Sequence, residues 1–177
     1  EEQDYFADGI TEDIIANLSL WKTFPVISRN SSFSFKNSTE KSDVISKALG
    51  ARYLVEGSVR KAGNKVRITA QLTSADDDKQ IWSKRWDRSL EDIFEVQDEV
   101  SRDVAALISP ALKDQEQVKL STKGKKNFGA WDEYLQGLNI YNTQDFVGTT
   151  LGDKVIEHCK RAIELDANFC DAYVLYC

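Results

Sequence analysis

Residues 55–72 decide the fold: Val55-Glu56-Gly57-Ser58-Val59-Arg60-Lys61-Ala62-Gly63-Asn64-Lys65-Val66-Arg67-Ile68-Thr69-Ala70-Gln71-Leu72. Val66, Ile68, Ala70 and Leu72 alternate with Arg67, Thr69 and Gln71. A period of two puts successive side chains on opposite faces of a strand. Gly63-Asn64 stands between two such runs and offers the positive φ angles of a tight reversal. The stretch therefore predicts a β-hairpin. One face seeks a core, and the other presents Arg, Thr and Gln.

Upstream, Thr11 reads as an N-cap, with Glu12 and Asp13 in the first turn and Ile10 and Ile15 placed as a hydrophobic staple. Ile14, Ile15, Leu18 and Trp21 make one helical stripe. Pro25 ends it, and Val26-Ile27-Ser28 is expected to start a strand. Phe33 and Phe35 follow as a strand end or an aromatic loop. Ser42 is the expected cap of a second helix, with Val44, Ile45, Ala48 and Leu49 inward and Gly50 as its stop.

Downstream, Asp76-Asp77-Asp78 reads as a polar turn and Gln80 to Trp86 as a further strand. Ser89 with Asp92 starts a long helix whose inner face is Ile93, Val96, Val100, Val104, Leu107 and Ile108. Pro110 kinks or ends it. Helices and half-polar strands in this order predict an α/β (α+β) sandwich, with helices on one face of a mixed sheet. Residues 113–129 lose the periodicity and gain lysines, which reads as a linker or a frayed helix extension, with a short basic patch touching anionic lipid as the functional alternative. From Ala130 the pattern is helical again. Trp131, Tyr134, Leu135, Leu138 and Tyr141 form one face, and Val155, Ile156, Cys159, Ala162 and Ile163 a second. Ala172, Tyr173 and Tyr176 begin a third.

Composition narrows the function classes. The 177 residues carry a net charge of −6 and no long basic face, so nucleic acid is a poor partner. No apolar run reaches the ~18 residues that span a bilayer, so membrane insertion by this segment is not expected. With no Met and a Glu1-Glu2 start, the chain reads as a piece of something longer. Cys159, Cys170 and Cys177 lack metal-ligand spacing and read as small hydrophobes between helices.

Chemical motifs are sparse. No Gly-rich phosphate loop, nucleophile elbow or zinc-protease motif occurs. His158 is alone, and the Asp76-Asp77-Asp78 run lacks the Gly and terminal Glu of a calcium loop. Catalytic, cofactor-binding and metal-binding residues are therefore expected to be none, and cofactors none. The one dense polar group is Glu56, Arg60, Arg67, Thr69, Gln71 and Lys84 around the hairpin. It reads as a solvent face or as a docking face, because guanidinium groups bind carboxylates bidentately. Trp82, Trp86, Phe33 and Phe35 read as core.

Two resemblances sharpen this. Ala162-Ile163-Glu164-Leu165-Asp166 resembles the end of the second helix of a tetratricopeptide repeat, over about 130–177. On that register Tyr173 takes the large aromatic position, Gly137 and Cys177 take small-residue positions, and Asn142 to Asp153 hold an insertion. Residues 1–112 resemble the TolB-like amino-terminal domain found beside such repeats in bacterial regulators. These include class III adenylate/guanylate cyclase-type proteins and CadC-like activators. The match rests on Tyr5-Phe6-Ala7-Asp8-Gly9-Ile10-Thr11-Glu12-Asp13-Ile14, Ser28-Arg29-Asn30-Ser31-Ser32-Phe33, Glu56-Gly57-Ser58-Val59-Arg60, Trp82, Trp86-Asp87 and Asp92-Ile93-Phe94, besides Arg67 to Leu72.

The resemblance implies a domain at 1–112 whose first strand lies upstream, a linker at 113–129 and the start of a repeat solenoid at 130–177. It implies a non-catalytic, sensory interaction module of a membrane-tethered bacterial signalling protein. Such a module binds a protein or peptide partner and modulates an upstream output domain. Arg60, Arg67, Gln71, Tyr134 and Tyr141 are the expected partner-binding residues, and an open sheet edge could support a homo-oligomer. The alternatives are a segment of a nucleotidyl cyclase with its catalytic domain elsewhere, or an envelope assembly component. The expected location is the periplasmic side of a membrane, with the cytoplasm as alternative.

Overall fold

The computed structural model describes residues 4–75, 79–108, 127–143 and 149–176. Its elements are α1 (Asp4–Ser19), α2 (Arg29–Phe33), α3 (Ser42–Leu49), β1 (Tyr53–Ala62), β2 (Lys65–Ser74), β3 (Lys79–Ser89), α4 (Ile93–Ile108), α5 (Phe128–Thr143), α6 (Thr149–Leu165) and α7 (Cys170–Tyr176). They fall into two compact units. One is Ile10–Leu120, and the other joins Glu1–Gly9 to Ser121–Cys177. The expected linker at 113–129, the Asp76-Asp77-Asp78 turn, Pro110 and Cys177 lie wholly or mostly outside the described residues.

In the first unit the hairpin forms as its period dictates. β1 pairs antiparallel with β2 from Tyr53↔Ser74 to Ala62↔Lys65, and β2 pairs antiparallel with β3. The described sheet has the order β1-β2-β3 and is wholly antiparallel. The expectation of a mixed sheet is corrected: both described pairings are antiparallel, as suits consecutive strands with only a few residues between them. Only Gly63 of the turn pair has a positive φ, at 57°. Asn64 does not need one, because the first central residue alone takes that region in one of the common hairpin turns.

Val66, Ile68, Ala70 and Leu72 are all buried, together with Trp86 on β3. The inward face of α4 is Ile93, Val96, Val100, Val104 and Ala105, with Gln97 and Ser101 also buried. Leu107, expected inward, is exposed. The Ser89 hydroxyl donates to Asp92 Oδ2 at 2.8 Å, as a helix-start signal should. A short 3-10 turn, Leu90–Asp92, comes first and buries Leu90. Gly57 sits on β1 where a Cβ would collide with the Thr69 carbonyl oxygen, so the strands need glycine there.

Several local expectations are overturned. Thr11 is no N-cap, because α1 already runs from Asp4. Phe6 and Ile10 are buried one helical turn apart, and their burial extends the helix through the supposed cap. Val26-Ile27-Ser28 forms no strand. Ser28 instead caps α2, its side chain accepting from the Ser31 amide. Lys41, not Ser42, is the N-cap of α3. Ser42 spends its hydroxyl on Glu56 Oε2 at 3.0 Å. On α3 it is Ile45 and Ser46 that are buried, while Val44 is exposed and Ala48 too. Gly50 ends the helix at φ 65° as expected.

The second unit is helical. Asn127 accepts from the Ala130 amide and so caps the start of α5. Phe6, Phe128 and Trp131 form an aromatic cluster with ring centroids 5.6–6.3 Å apart. The Tyr5 hydroxyl donates to Asp132 at 3.1 Å, and a Cβ at Gly9 would collide with Leu135. Ala130, Cys159, Ala162 and Ala172 are fully buried small residues, which let the helices approach closely. Cys170 is exposed, so it is not an interior hydrophobe. Its position at the start of α7 leaves it outside the buried stripe. Burial holds the Cys159 thiol above its ordinary pKa.

Candidate docking surface

The register fixes which side chains share each face of the sheet. Arg60 lies opposite Arg67, and Arg67 opposite Asp87. One row along, Ser58, Thr69 and Arg85 align; in the next row, Glu56, Gln71 and Ser83 do. Lys65 shares this face with Arg67 by the two-residue period. Arg60, Lys65, Arg67, Arg85 and Asp87 are all exposed.

Asp87 is held between two guanidinium groups. Arg67 Nε donates to Asp87 Oδ1 at 2.5 Å, and Arg85 Nε lies 3.3 Å from Asp87 Oδ2. The Arg67 hydrogen bond, assisted by the charges of Arg67, Arg85 and Arg88, holds the Asp87 carboxyl below the usual carboxylate range. At the far end, Glu56 accepts from Ser42 and, at 3.5 Å, from Gln71. This end is partly buried, whereas the arginine end is open.

Lys84 is corrected. The sequence groups it with Arg67 and Gln71, but its register partner is Ala70, so it lies on the opposite, helix-covered face. There it donates to Asp103 of α4 at 2.9 Å and lies 3.6 Å from Glu99. The Asp103 hydrogen bond raises the Lys84 pKa. Glu99 also accepts from the buried Trp86 Nε1 at 2.7 Å, which, more than any other contact, lowers its pKa. Trp82 packs at a tilt against Trp86, ring centroids 5.9 Å apart, and is half-buried like Phe33 and Phe35. Arg29 lies 4.3 Å over the Phe33 ring.

Arg60, Arg67 and Gln71 thus share one face. Tyr134 and Tyr141 belong to the helical unit. Tyr134 packs edge-on against Phe169 at 5.4 Å, so its ring is taken up within the helices, while Tyr141 is exposed. His158 pairs with Glu133 at 2.7 Å, not with its neighbour Glu157, which pairs with Arg161. Sequence reading missed Lys65, Arg85 and Asp87 as members of the open face. The first could have been found from the hairpin alone; the other two depend on the β2–β3 register, which shifts between Leu72 and Thr73.

Among the described residues no group of three or more His, Cys, Asp or Glu could hold a metal ion. None of the described helices is long and apolar enough to cross a membrane. No family model matches the chain. Over 131 residues, 74% of this chain, it is 47% identical to "Putative adenylate cyclase 3" of Rhizobium meliloti (strain 1021). It is similar to one segment of a protein with a cyclase name. The match covers 22% of that relative, so the chain spans about a fifth of its length.

Proposed function

We propose that this chain is a non-catalytic interaction module within an adenylate cyclase-type signalling protein. It binds a protein or peptide partner and biases an output domain that lies in another part of the polypeptide. The observation that carries the reading is the 47% identity to about a fifth of a cyclase-named relative. The hairpin sheet with an open polar face supports assigning the first part to the TolB-like kind. The antiparallel helices α5 and α6, closed by small buried residues, support reading the second as the start of a tetratricopeptide array. Membrane tethering, on the periplasmic or the cytoplasmic side, belongs to the same proposal.

The test is an assay of cyclic AMP formation from ATP. The 177-residue chain should form none, and the full-length protein should form it at a rate that changes when the module is deleted. Turnover by the 177 residues alone would transfer the chemistry to this segment and support the alternative of a catalytic cyclase portion. A full-length rate indifferent to the deletion would remove the regulatory role.

A further inference from the structure

We propose that the open end of the sheet docks an acidic, extended segment of a partner protein, with Arg60, Lys65, Arg67 and Arg85 receiving its carboxylates and Asp87 occupying their place until it arrives. This deepens the preceding reading and rests on it.

The charge balance is the first support. Four cationic side chains share this exposed end of the face with a single carboxylate, on a chain whose net charge is −6. Arg60 and Arg67 are direct cross-strand partners, an arrangement that like charges disfavour. Asp87 bridges Arg67 and Arg85, and Arg60 and Lys65 lie outside those bridges.

The second support is that the face already holds a carboxylate. The grip of Arg67 on Asp87 demonstrates the geometry that a partner's Asp or Glu would use. An incoming carboxylate therefore competes with an internal one, so Asp87 sets the affinity.

Spacing selects the shape of the ligand. Neighbouring strands lie about 4.8 Å apart, and same-face residues along one strand about 7 Å apart. Lys65 and Arg67, two residues apart on β2, thus stand at the interval at which an extended peptide presents every second side chain, with Arg60 and Arg85 on the flanking strands. A long polyanion fits less well, because the acidic remainder of the chain repels it.

The test uses a fluorescently labelled octapeptide of alternating Glu and Ser, with the Lys-Ser counterpart as control. Fluorescence anisotropy against the 177-residue chain should detect the acidic peptide only, with affinity falling as salt rises. The paired change Arg67→Ala and Arg85→Ala should weaken binding at least tenfold. D87N should tighten it severalfold, and this opposite sign cannot come from misfolding. Equal binding by the paired variant, or weaker binding by D87N, would overturn the proposal. So would tighter arginine-dependent binding of oligo-dT or of phosphatidylserine vesicles. If the acidic peptide fails while module deletion still changes cyclase rate, only this docking claim falls. If the peptide binds but the deletion changes nothing, the regulatory reading falls instead.

Discussion

The two faces of β3 carry similar charges to opposite effect. On the covered face, Lys84 and Arg88 meet Glu99 and Asp103, two cations against two anions, and the buried indole of Trp86 donates into the same cluster. On the open face, Arg67 and Arg85 share Asp87, with Arg60 and Lys65 beside them. A balanced cluster bridging two elements fastens the sheet to α4. The open-face cluster, four cations around one carboxylate, leaves attraction to spare. Charge type alone does not separate structural from docking roles; neutralisation and burial do.

The largest expected effect lies on the covered face. Trp86→Ala should cost about 3–5 kcal/mol, since it empties a core position and takes the donor from Glu99. Urea titration followed by circular dichroism would measure it. A loss below about 1 kcal/mol would show that α4 holds the sheet without this residue.

Glu99→Ala comes next. It leaves the buried Trp86 N–H without its acceptor, at about 1–3 kcal/mol. Its pH dependence has a definite sign. Folding depresses the Glu99 pKa, so its contribution is present above the unfolded value of about 4.3 and is lost as pH falls through the folded value. Lys84 works in reverse: its pKa is raised, so its contribution is present below about 10.4 and is lost as pH rises through the folded value. Unfolding curves from pH 7 down to pH 3 should therefore fall less steeply for the Glu99→Ala variant than for the parent. Parallel acid limbs would contradict the bridge.

On the open face, Arg67→Ala with Gln71→Ala should stay within about ±0.5 kcal/mol. A larger loss would mean that this face is covered. The smallest change expected is a titration shift. Arg67→Ala should let the Asp87 carboxyl drift back up toward its ordinary pKa, observable by NMR. An unmoved Asp87 would assign the depression to Arg85 and Arg88.

The legible parts of the sequence were those where local chemistry and burial agree. Period two placed Val66 to Leu72 correctly, and Gly63 and Gly50 marked their turns. α4 was legible from Val96, Val100 and Val104. Capping signals failed where tertiary burial outweighed them. Thr11 has good cap chemistry, but burying Phe6 and Ile10 is worth more than one capping bond. Val26-Ile27 has strand propensity without a neighbouring strand to pair with among the described residues. The candidate site was half legible. Arg60, Arg67 and Gln71 follow from the hairpin, while the side on which Lys84 falls depends on a register that a bulge shifts.

The aromatic cluster of Phe6, Phe128 and Trp131 has a consequence for synthesis order. The sheet unit is one continuous stretch, Ile10–Leu120, and its hairpin contacts are short in sequence. It can close while the later helices are still to be translated. The helical unit cannot, because its first contributor precedes the second by more than a hundred residues, as the 127-residue span from Tyr5 to Asp132 marks. Its Phe6 must wait exposed on the nascent chain. In the interval between the two closures an apolar ring stays in water, the condition under which partly folded chains aggregate.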